Sequence, residues 1–103
     1  MTHRKGELRA GRIDREWPHQ VAVPAEQLLG KNHAIVEEFC RTLTLCPRGH
    51  SVIRDDVSYR VFCFADAAHA TLFRERFGGE PFDPRKRGRG SNWYLWRKRR
   101  MDF

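Results

Sequence analysis

Residues 51–64 read SVIRDDVSYRVFCF, and this stretch decides the fold. Two short runs of apolar, β-branched and aromatic residues, 51–54 and 59–64, flank the segment Asp55-Asp56-Val57-Ser58. Asp residues favour turns because their carboxylates hydrogen-bond to nearby backbone groups. The stretch therefore predicts a β-hairpin, around which the rest of the chain is organised.

A helix is predicted directly after the hairpin. Asp66 is placed to cap its first turn, and Phe73 and Phe77 lie on one face of it. Gly78-Gly79 then supplies a stop in left-handed geometry. This segment therefore predicts an amphipathic helix that packs on the sheet.

A strand and a helix are predicted before the hairpin. Residues 17–23 alternate with the period of two that a strand shows, and Pro24 ends the run. Asn32 is a candidate N-cap for the helix that follows. The apolar residues of that helix share one stripe: Ile35, Val36, Phe39, Cys40 and Leu43. Pro47 and Gly49 then predict a turn over residues 45–50.

The predicted order is strand, helix, strand, strand, helix, strand. This order is that of the ferredoxin-like split βαβ fold, an α+β sandwich with one antiparallel sheet and two helices on one face. The last strand has two alternatives, residues 81–82 or residues 93–96. In the first the aromatic residues near the C-terminus belong to a tail, and in the second they belong to the sheet edge.

The chain divides into three parts on composition. Residues 1–15 are polar and lack apolar periodicity, so they predict a flexible N-terminal arm. Residues 16–84 predict the α+β domain, because a chain of 103 residues supports one small core. Residues 85–103 form a basic aromatic C-terminal segment, which contains the second alternative for the last strand.

The positive charge is concentrated in that C-terminal segment. The chain has 20 Lys and Arg against 13 Asp and Glu, a net charge of +7. Residues 85–100 contain eight of the basic residues and no acidic one, so the remainder is close to neutral. Those eight are Arg85, Lys86, Arg87, Arg89, Arg97, Lys98, Arg99 and Arg100.

Aromatic residues lie between these charges. Trp93, Tyr94 and Trp96 offer rings that either stack on bases or anchor the segment, while the cations neutralise phosphates. Together with the eight basic residues they form the predicted nucleic-acid-binding site, with RNA or single-stranded DNA as the partner and little sequence preference. A solvated terminal charge run, a membrane surface, and a protein-interaction or homodimerisation module that pairs residues 93–96 with another chain are the alternatives.

The cysteines and histidines predict neither a metal site nor a catalytic one. Cys40, Cys46 and Cys63 have no short paired spacing, and only His50 adds a nearby ligand type. Cys46 and His50 are close enough in sequence to consider a nucleophile and its base, but no oxyanion motif accompanies them. We therefore expect no enzyme and no cofactor.

The sequence also predicts a cytoplasmic protein. The N-terminus lacks the apolar stretch of a secretion signal, and no segment approaches the roughly 20 apolar residues that span a bilayer. An odd number of cysteines without a disulfide pattern suits a reducing compartment.

The third predicted strand has a pattern known from RNA-binding domains. If Arg60 marks the open face of the sheet, Phe62 and Phe64 lie beside it as exposed rings, which resembles the central strand of RNA recognition motif domains. Val61 and Cys63 depart from that pattern, and the first strand lacks the matching aromatic. The alternative is that Phe62 and Phe64 pack under the helices.

A second resemblance covers residues 39–80. The segments at 46–50, 62–66 and 76–79, which read CPRGH, FCFAD and RFGG, are similar to short bacterial proteins of unassigned function. This resemblance implies a compact domain and no chemistry, so it assigns no site residue.

Overall fold

The computed structural model describes residues 10–86 and 95–96. The helices are α1 (Ala10–Glu16), α2 (Lys31–Cys40) and α3 (Ala67–Phe77), with short 3-10 turns at Ala25–Leu28 and Pro84–Lys86. The strands are β1 (His19–Pro24), β2 (His50–Arg54), β3 (Val57–Phe64) and β4 (Glu80–Phe82).

The four strands form one sheet of order β2-β3-β1-β4. Every neighbouring pair is antiparallel, with Val21 opposite Phe62 of β3 on one side and Pro81 of β4 on the other. The domain is therefore of the α+β class, with one antiparallel sheet and its helices.

The β2–β3 hairpin lies where the sequence predicts it. Its turn consists of Asp55 and Asp56, whose φ angles are 54° and 65°. Two residues in left-handed geometry match the right-handed twist of the flanking strands, and Asp tolerates that geometry better than most residues do. The hairpin thus fixes the register of the strand pair.

One face of the sheet, the helical face, is covered by α2 and α3. Its buried residues are Val21, Val23, Leu28, Val36, Cys40, Phe64, Ala70 and Phe73. Phe62 packs against Phe73 of α3 with ring centres 4.9 Å apart, and Phe64 does so at 5.4 Å. The two rings on β3 therefore lie under a helix, as in the second of the two alternatives for that strand.

The opposite face, the α1 face, is covered as well. Its buried residues are Ile13, Ala22, Cys46, Val52, Val61, Cys63, Phe82 and Trp96, with Trp17 and Tyr59 packed against them. Helix α1 contributes Ile13, and the C-terminal segment contributes Trp96. Helix α1 and Trp96 thus cover the face opposite to the one that α2 and α3 share.

The predicted flexible arm over residues 1–15 is wrong for residues 10–15. These residues belong to α1, and Ile13 is only 3% exposed. A single apolar residue in a seven-residue polar segment gives no detectable period, although it is enough to bury one helical face once a sheet is present. Residues 1–9 lie outside the described residues.

Of the two predicted N-caps, Asp66 caps its helix and Asn32 does not. Asp66 caps α3, since its Oδ1 accepts a hydrogen bond from the Ala68 N–H at 2.8 Å, and Gly78 ends that helix. Asn32 is not the N-cap of α2, because the helix begins at Lys31 after Gly30. The Asn32 side chain donates instead to the Gln27 carbonyl at 3.0 Å.

The last strand is the first of its two predicted alternatives. β4 pairs with β1 through Gln20 and Phe82 at one end and Ala22 and Glu80 at the other. Leu95 makes a single parallel bridge to Ile53, on the outer side of β2. The backbone of residues 95–96 thus meets the sheet at the edge opposite to β4.

The structure contains no membrane-spanning helix within residues 10–86 and 95–96. The longest helix in that part of the chain is α3, with 11 residues. A helix needs about 20 apolar residues to cross the hydrocarbon core of a bilayer.

Candidate functional site

Trp96 lies at the centre of the α1 face. Its side chain is 6% exposed, and its ring meets Tyr59 of β3 edge-on at 5.0 Å and Phe82 of β4 at 5.3 Å. Its backbone N–H donates to the Ile53 carbonyl at 3.0 Å. Trp96 therefore contacts three strands and holds residues 95–96 against the domain.

Arg54 completes the environment of Trp96. Its guanidinium carbon lies 3.9 Å from the centre of the indole ring and 5.1 Å from the Tyr59 ring. Both terminal nitrogens donate to Glu80, at 2.7 and 3.2 Å, and one also donates to the Tyr59 hydroxyl at 3.2 Å. A planar guanidinium suits this combination, since it forms a two-pronged ion pair and stacks on a ring at once.

The charge balance in this cluster favours the ion pair. The hydrogen bond that Arg54 donates to Glu80 raises the pKa of Arg54, and this effect outweighs the opposing effect of burial. The Arg54 side chain is 11% exposed, whereas that of Glu80 is 51% exposed. Arg54 therefore stays charged under a ring that excludes water from one of its faces.

Gln20 attaches α1 to the sheet beside this cluster. It is 4% exposed, and its side-chain N–H₂ donates to the Asp14 carboxylate and to the Trp17 carbonyl, each at 3.0 Å. Both acceptors lie at or just after α1. A buried amide that holds two such groups fixes the short helix over the α1 face.

The first two basic residues of the C-terminal segment lie in a 3-10 turn beside an acid. Arg85 makes two side-chain hydrogen bonds to Asp83, at 2.9 and 3.1 Å, and its backbone N–H makes a third. Arg85 lowers the pKa of Asp83 below its ordinary value, and Asp83 raises that of Arg85. The Arg85 side chain is 89% exposed, so this ion pair is open to competition from an anion.

The predicted nucleic-acid-binding residues are only partly described. Arg85 and Lys86 lie in the turn at the start of the segment, and Trp96 lies in the core. Of the two roles considered for Trp96, this position is that of an anchor. The remaining predicted residues lie outside the described residues: Arg87, Arg89, Trp93, Tyr94, Arg97, Lys98, Arg99 and Arg100.

The pattern that resembles an RNA recognition motif depends on rings exposed beside Arg60. Phe62 is half-buried and Phe64 fully buried, and both face the helices. Arg60 is exposed and lies at the margin of the helical face, beside a cleft that His33 and Glu37 of α2 also line. The two rings therefore lie on the side of the sheet that the helices cover, which is the alternative to rings exposed beside Arg60.

The segment 46–49 is a bulge opposite β3. Leu45 is opposite Phe64 whereas His50 is opposite Val61, so four residues on one side face two on β3. Gly49 allows this, because a Cβ there would lie 2.7 Å from the Val61 carbonyl oxygen. No group of three metal-ligating side chains occurs within the described part of the chain.

Cys46 and His50 both lie on the α1 face. Cys46 is 3% exposed, and burial raises the pKa of its thiol, an effect that neighbouring Glu16 adds to and Arg48 opposes. His50 packs edge-on against Phe82, with ring centres 5.9 Å apart. A thiol whose pKa is raised is a poor nucleophile at neutral pH.

Several residues of this cluster carried no signal in the sequence. Arg54 and Glu80 are 26 positions apart, and only the strand order brings them together. Tyr59 and Arg54 lie on opposite sides of the predicted turn, and alternation from Val61 back along β3 places Tyr59 on the α1 face. Gln20 looked like a polar position of an alternating strand, which favours solvent rather than burial.

No family model, curated protein or solved structure matches this chain. What the chain binds is therefore inferred from its own residues. The features available for that inference are the basic residues, the anchor Trp96, and the Arg54 ion pair beneath it.

Proposed function

We propose that this chain is a small binding module, not an enzyme, that engages single-stranded nucleic acid through its basic aromatic C-terminal segment. RNA and single-stranded DNA are equivalent partners at this level, since both present phosphates and unstacked bases. The supporting observation is that the segment carrying all of the net positive charge is anchored to the domain by buried Trp96. Sequence preference is slight, because phosphate contacts carry no sequence information.

The attachment of Trp96 to the domain should raise the affinity for nucleic acid, because it lowers the entropy cost of ordering the residues beside it. Arg97 follows Trp96 directly, so the second group of cations begins one residue beyond a backbone that is hydrogen-bonded to Ile53. Ordering a chain segment on binding costs roughly 1 to 2 kcal/mol per residue. Lys86 and Trp96 are already hydrogen-bonded to the domain, so their share of that cost is met before a phosphate binds.

Because both faces of the sheet are covered, the proposed contacts with nucleic acid lie on the C-terminal segment and not on the sheet. In the described residues, α2 and α3 lie on the helical face, and α1 and Trp96 lie on the α1 face. A nucleic acid chain would therefore meet the exposed Arg85 and the cations that follow rather than strand rings. Release of Arg85 from Asp83 adds one further cation.

We also infer that the fold is the ferredoxin-like split βαβ sandwich, elaborated by α1. The sheet order β2-β3-β1-β4, the antiparallel pairing throughout and the shared face of α2 and α3 support this assignment. A cytoplasmic location is part of the same proposal and is supported by the three cysteines, which are all free thiols in the structure.

The test is fluorescence anisotropy of a labelled single-stranded oligonucleotide, titrated with the full chain at several salt concentrations. One variant replaces Arg97, Lys98, Arg99 and Arg100 with Gln. The control variant replaces Arg15, Lys31, Arg60 and Arg74 with Gln, which removes the same three Arg and one Lys from exposed positions of the domain. Truncation is avoided because it would delete Trp96 from the core.

We expect the C-terminal variant to lose at least about tenfold in affinity, with the slope of log affinity against log salt reduced by about 3. The control has the same net charge and should bind nearly as tightly as the unaltered chain. Equal loss in both variants would mean that only overall charge matters. Absence of binding by the unaltered chain at low salt would overturn the proposal.

A further inference from the structure

Cys46 and Cys63 lie on adjacent antiparallel segments at one end of the sheet. The Cys46 N–H donates to the Cys63 carbonyl at 2.7 Å, and the Ala65 N–H donates to the Thr44 carbonyl at 3.1 Å. These two bonds flank the antiparallel bridge between Leu45 and Phe64. Cys46 is therefore the residue directly opposite Cys63.

The two side chains share a face of the sheet. Residues that are directly opposite in an antiparallel ladder point to the same side, and both cysteines belong to the core of the α1 face. Their Cα atoms are expected about 5.5 Å apart, which lies within the range of about 4.4 to 6.8 Å that a disulfide spans. Cys40 lies on the helical face, on the other side of the sheet.

We propose that Cys46 and Cys63 are a redox-responsive pair that forms a reversible disulfide with a low-molecular-weight disulfide such as oxidised glutathione. When the segment that carries Cys46 opens to solvent and the burial that raises its pKa is relieved, the Cys46 thiolate attacks one sulfur of that oxidant, the S–S bond breaks, and one small thiol leaves with the proton that Cys46 gave up. The Cys63 thiolate then attacks the Cys46 sulfur and displaces the second small thiol. Two protein thiols lose two electrons in all, and the oxidant is reduced to two thiols.

Cys46 is the thiol that reacts first. It is 3% exposed and lies at the start of the bulge, whereas Cys63 is 0% exposed and lies within β3. The bulge after Cys46 also leaves its segment joined to β3 by few backbone bonds, so it opens more readily than the ladder does. The second step is intramolecular, because Cys63 is already opposite.

The pairing geometry makes the bond suited to a switch. Cys46 and Cys63 are at a hydrogen-bonded position, where β-carbons lie farther apart than at the alternate positions. A disulfide prefers β-carbons about 3.5 to 4.5 Å apart, so closing it draws the bulge toward β3. Disulfides formed with such strain are the easily reduced ones.

The test equilibrates the full chain with mixtures of reduced and oxidised glutathione, quenches with acid, unfolds it and alkylates the remaining thiols. Cleavage after Arg41, Arg48, Arg60 and Arg74 places the three cysteines in three different tryptic peptides. Mass spectrometry then identifies which peptides are joined and which are alkylated.

We expect a peptide pair that joins Cys46 to Cys63, with Cys40 alkylated, and the original masses after addition of excess reduced glutathione. The variant Cys40→Ala should form the same link, and Cys46→Ala should form none. Three alkylated cysteines at every glutathione ratio, a link to Cys40, or a mixed disulfide that persists on Cys46 would each overturn the proposal. The wild-type peptide map decides the question even where a variant folds poorly.

Discussion

The guanidinium of Arg54 lies 3.9 Å from the centre of the Trp96 indole, while the same group is paired with Glu80 at 2.7 Å. Arg54 thus links a residue of the C-terminal segment to β4, across a face that also carries Tyr59. Because the Glu80 carboxylate holds the Arg54 guanidinium, the cation remains oriented toward the indole ring of Trp96. The position of Trp96 and the packing of the sheet are therefore coupled through one side chain.

Trp96→Ala should destabilise the domain. The indole is 6% exposed and contacts Tyr59, Phe82 and Arg54, so its removal leaves a cavity in the α1 face. Removal of a buried aromatic side chain costs about 3 to 5 kcal/mol, which is to be measured here by urea unfolding. Trp96→Phe should cost less, since it retains an aromatic ring beside Arg54.

The control for Trp96→Ala is Leu72→Ala on α3. Leu72 is 46% exposed, so its truncation should change the free energy of unfolding by less than about 1 kcal/mol. Equal effects at the two positions would show that Trp96 is not part of the core. The anchoring of the basic segment would then need another explanation.

Arg54 and Glu80 should show a favourable coupling in a double-mutant cycle. The cycle compares Arg54→Met, Glu80→Gln and the double variant by chemical unfolding at neutral pH. We expect a coupling of about 1 kcal/mol, higher than that of most surface pairs because the Arg54 side chain is 11% exposed, yet modest because Glu80 is half exposed. Arg12 and Glu16, an exposed pair on α1, should give a coupling close to zero.

The hairpin and α3 could be predicted because their signals are local. Asp55 and Asp56 mark a turn through their own backbone preferences, and Asp66 caps the helix that starts one residue later. Each feature depends on residues within a few positions of one another. Such signals survive in a single sequence, since no distant contact is needed to interpret them.

The α1 face could not be predicted because its parts come from distant segments. Ile13 can be buried only when the sheet has formed beneath α1. Trp96 reaches the same face only because Leu95 pairs with Ile53 of β2. The sequence showed an aromatic among cations, a pattern that fits an anchor and a stacking ring equally well. Tertiary packing against Arg54 decided between those roles.

Gly79→Ala should destabilise the domain more than Gly78→Ala does. Both glycines have positive φ, 98° and 82°, so each substitution carries backbone strain of about 1 to 3 kcal/mol. A Cβ at Gly79 would also lie 2.9 Å from the Ala22 carbonyl oxygen, whereas one at Gly78 would meet no atom within 4 Å. Thermal or urea unfolding measures the difference, and equal losses would contradict the close approach of β4 to β1.

Cys40→Ala should lose less unfolding free energy than the unaltered chain as the pH rises from 9 to 11. Burial raises the pKa of the Cys40 thiol from its ordinary value of 9.0 to about 11, so the folded state holds a proton that the unfolded chain releases. The stabilisation is complete below pH 9 and is lost as the pH rises toward 11, by up to about 3 kcal/mol. Urea unfolding from pH 8 to 11, with a reductant present, measures it for both proteins. The unaltered chain should lose more stability over this pH range than Cys40→Ala, in which no thiol titrates at this position. Parallel curves of unfolding free energy against pH would show that the Cys40 thiol ionises as readily in the folded protein as in the unfolded chain.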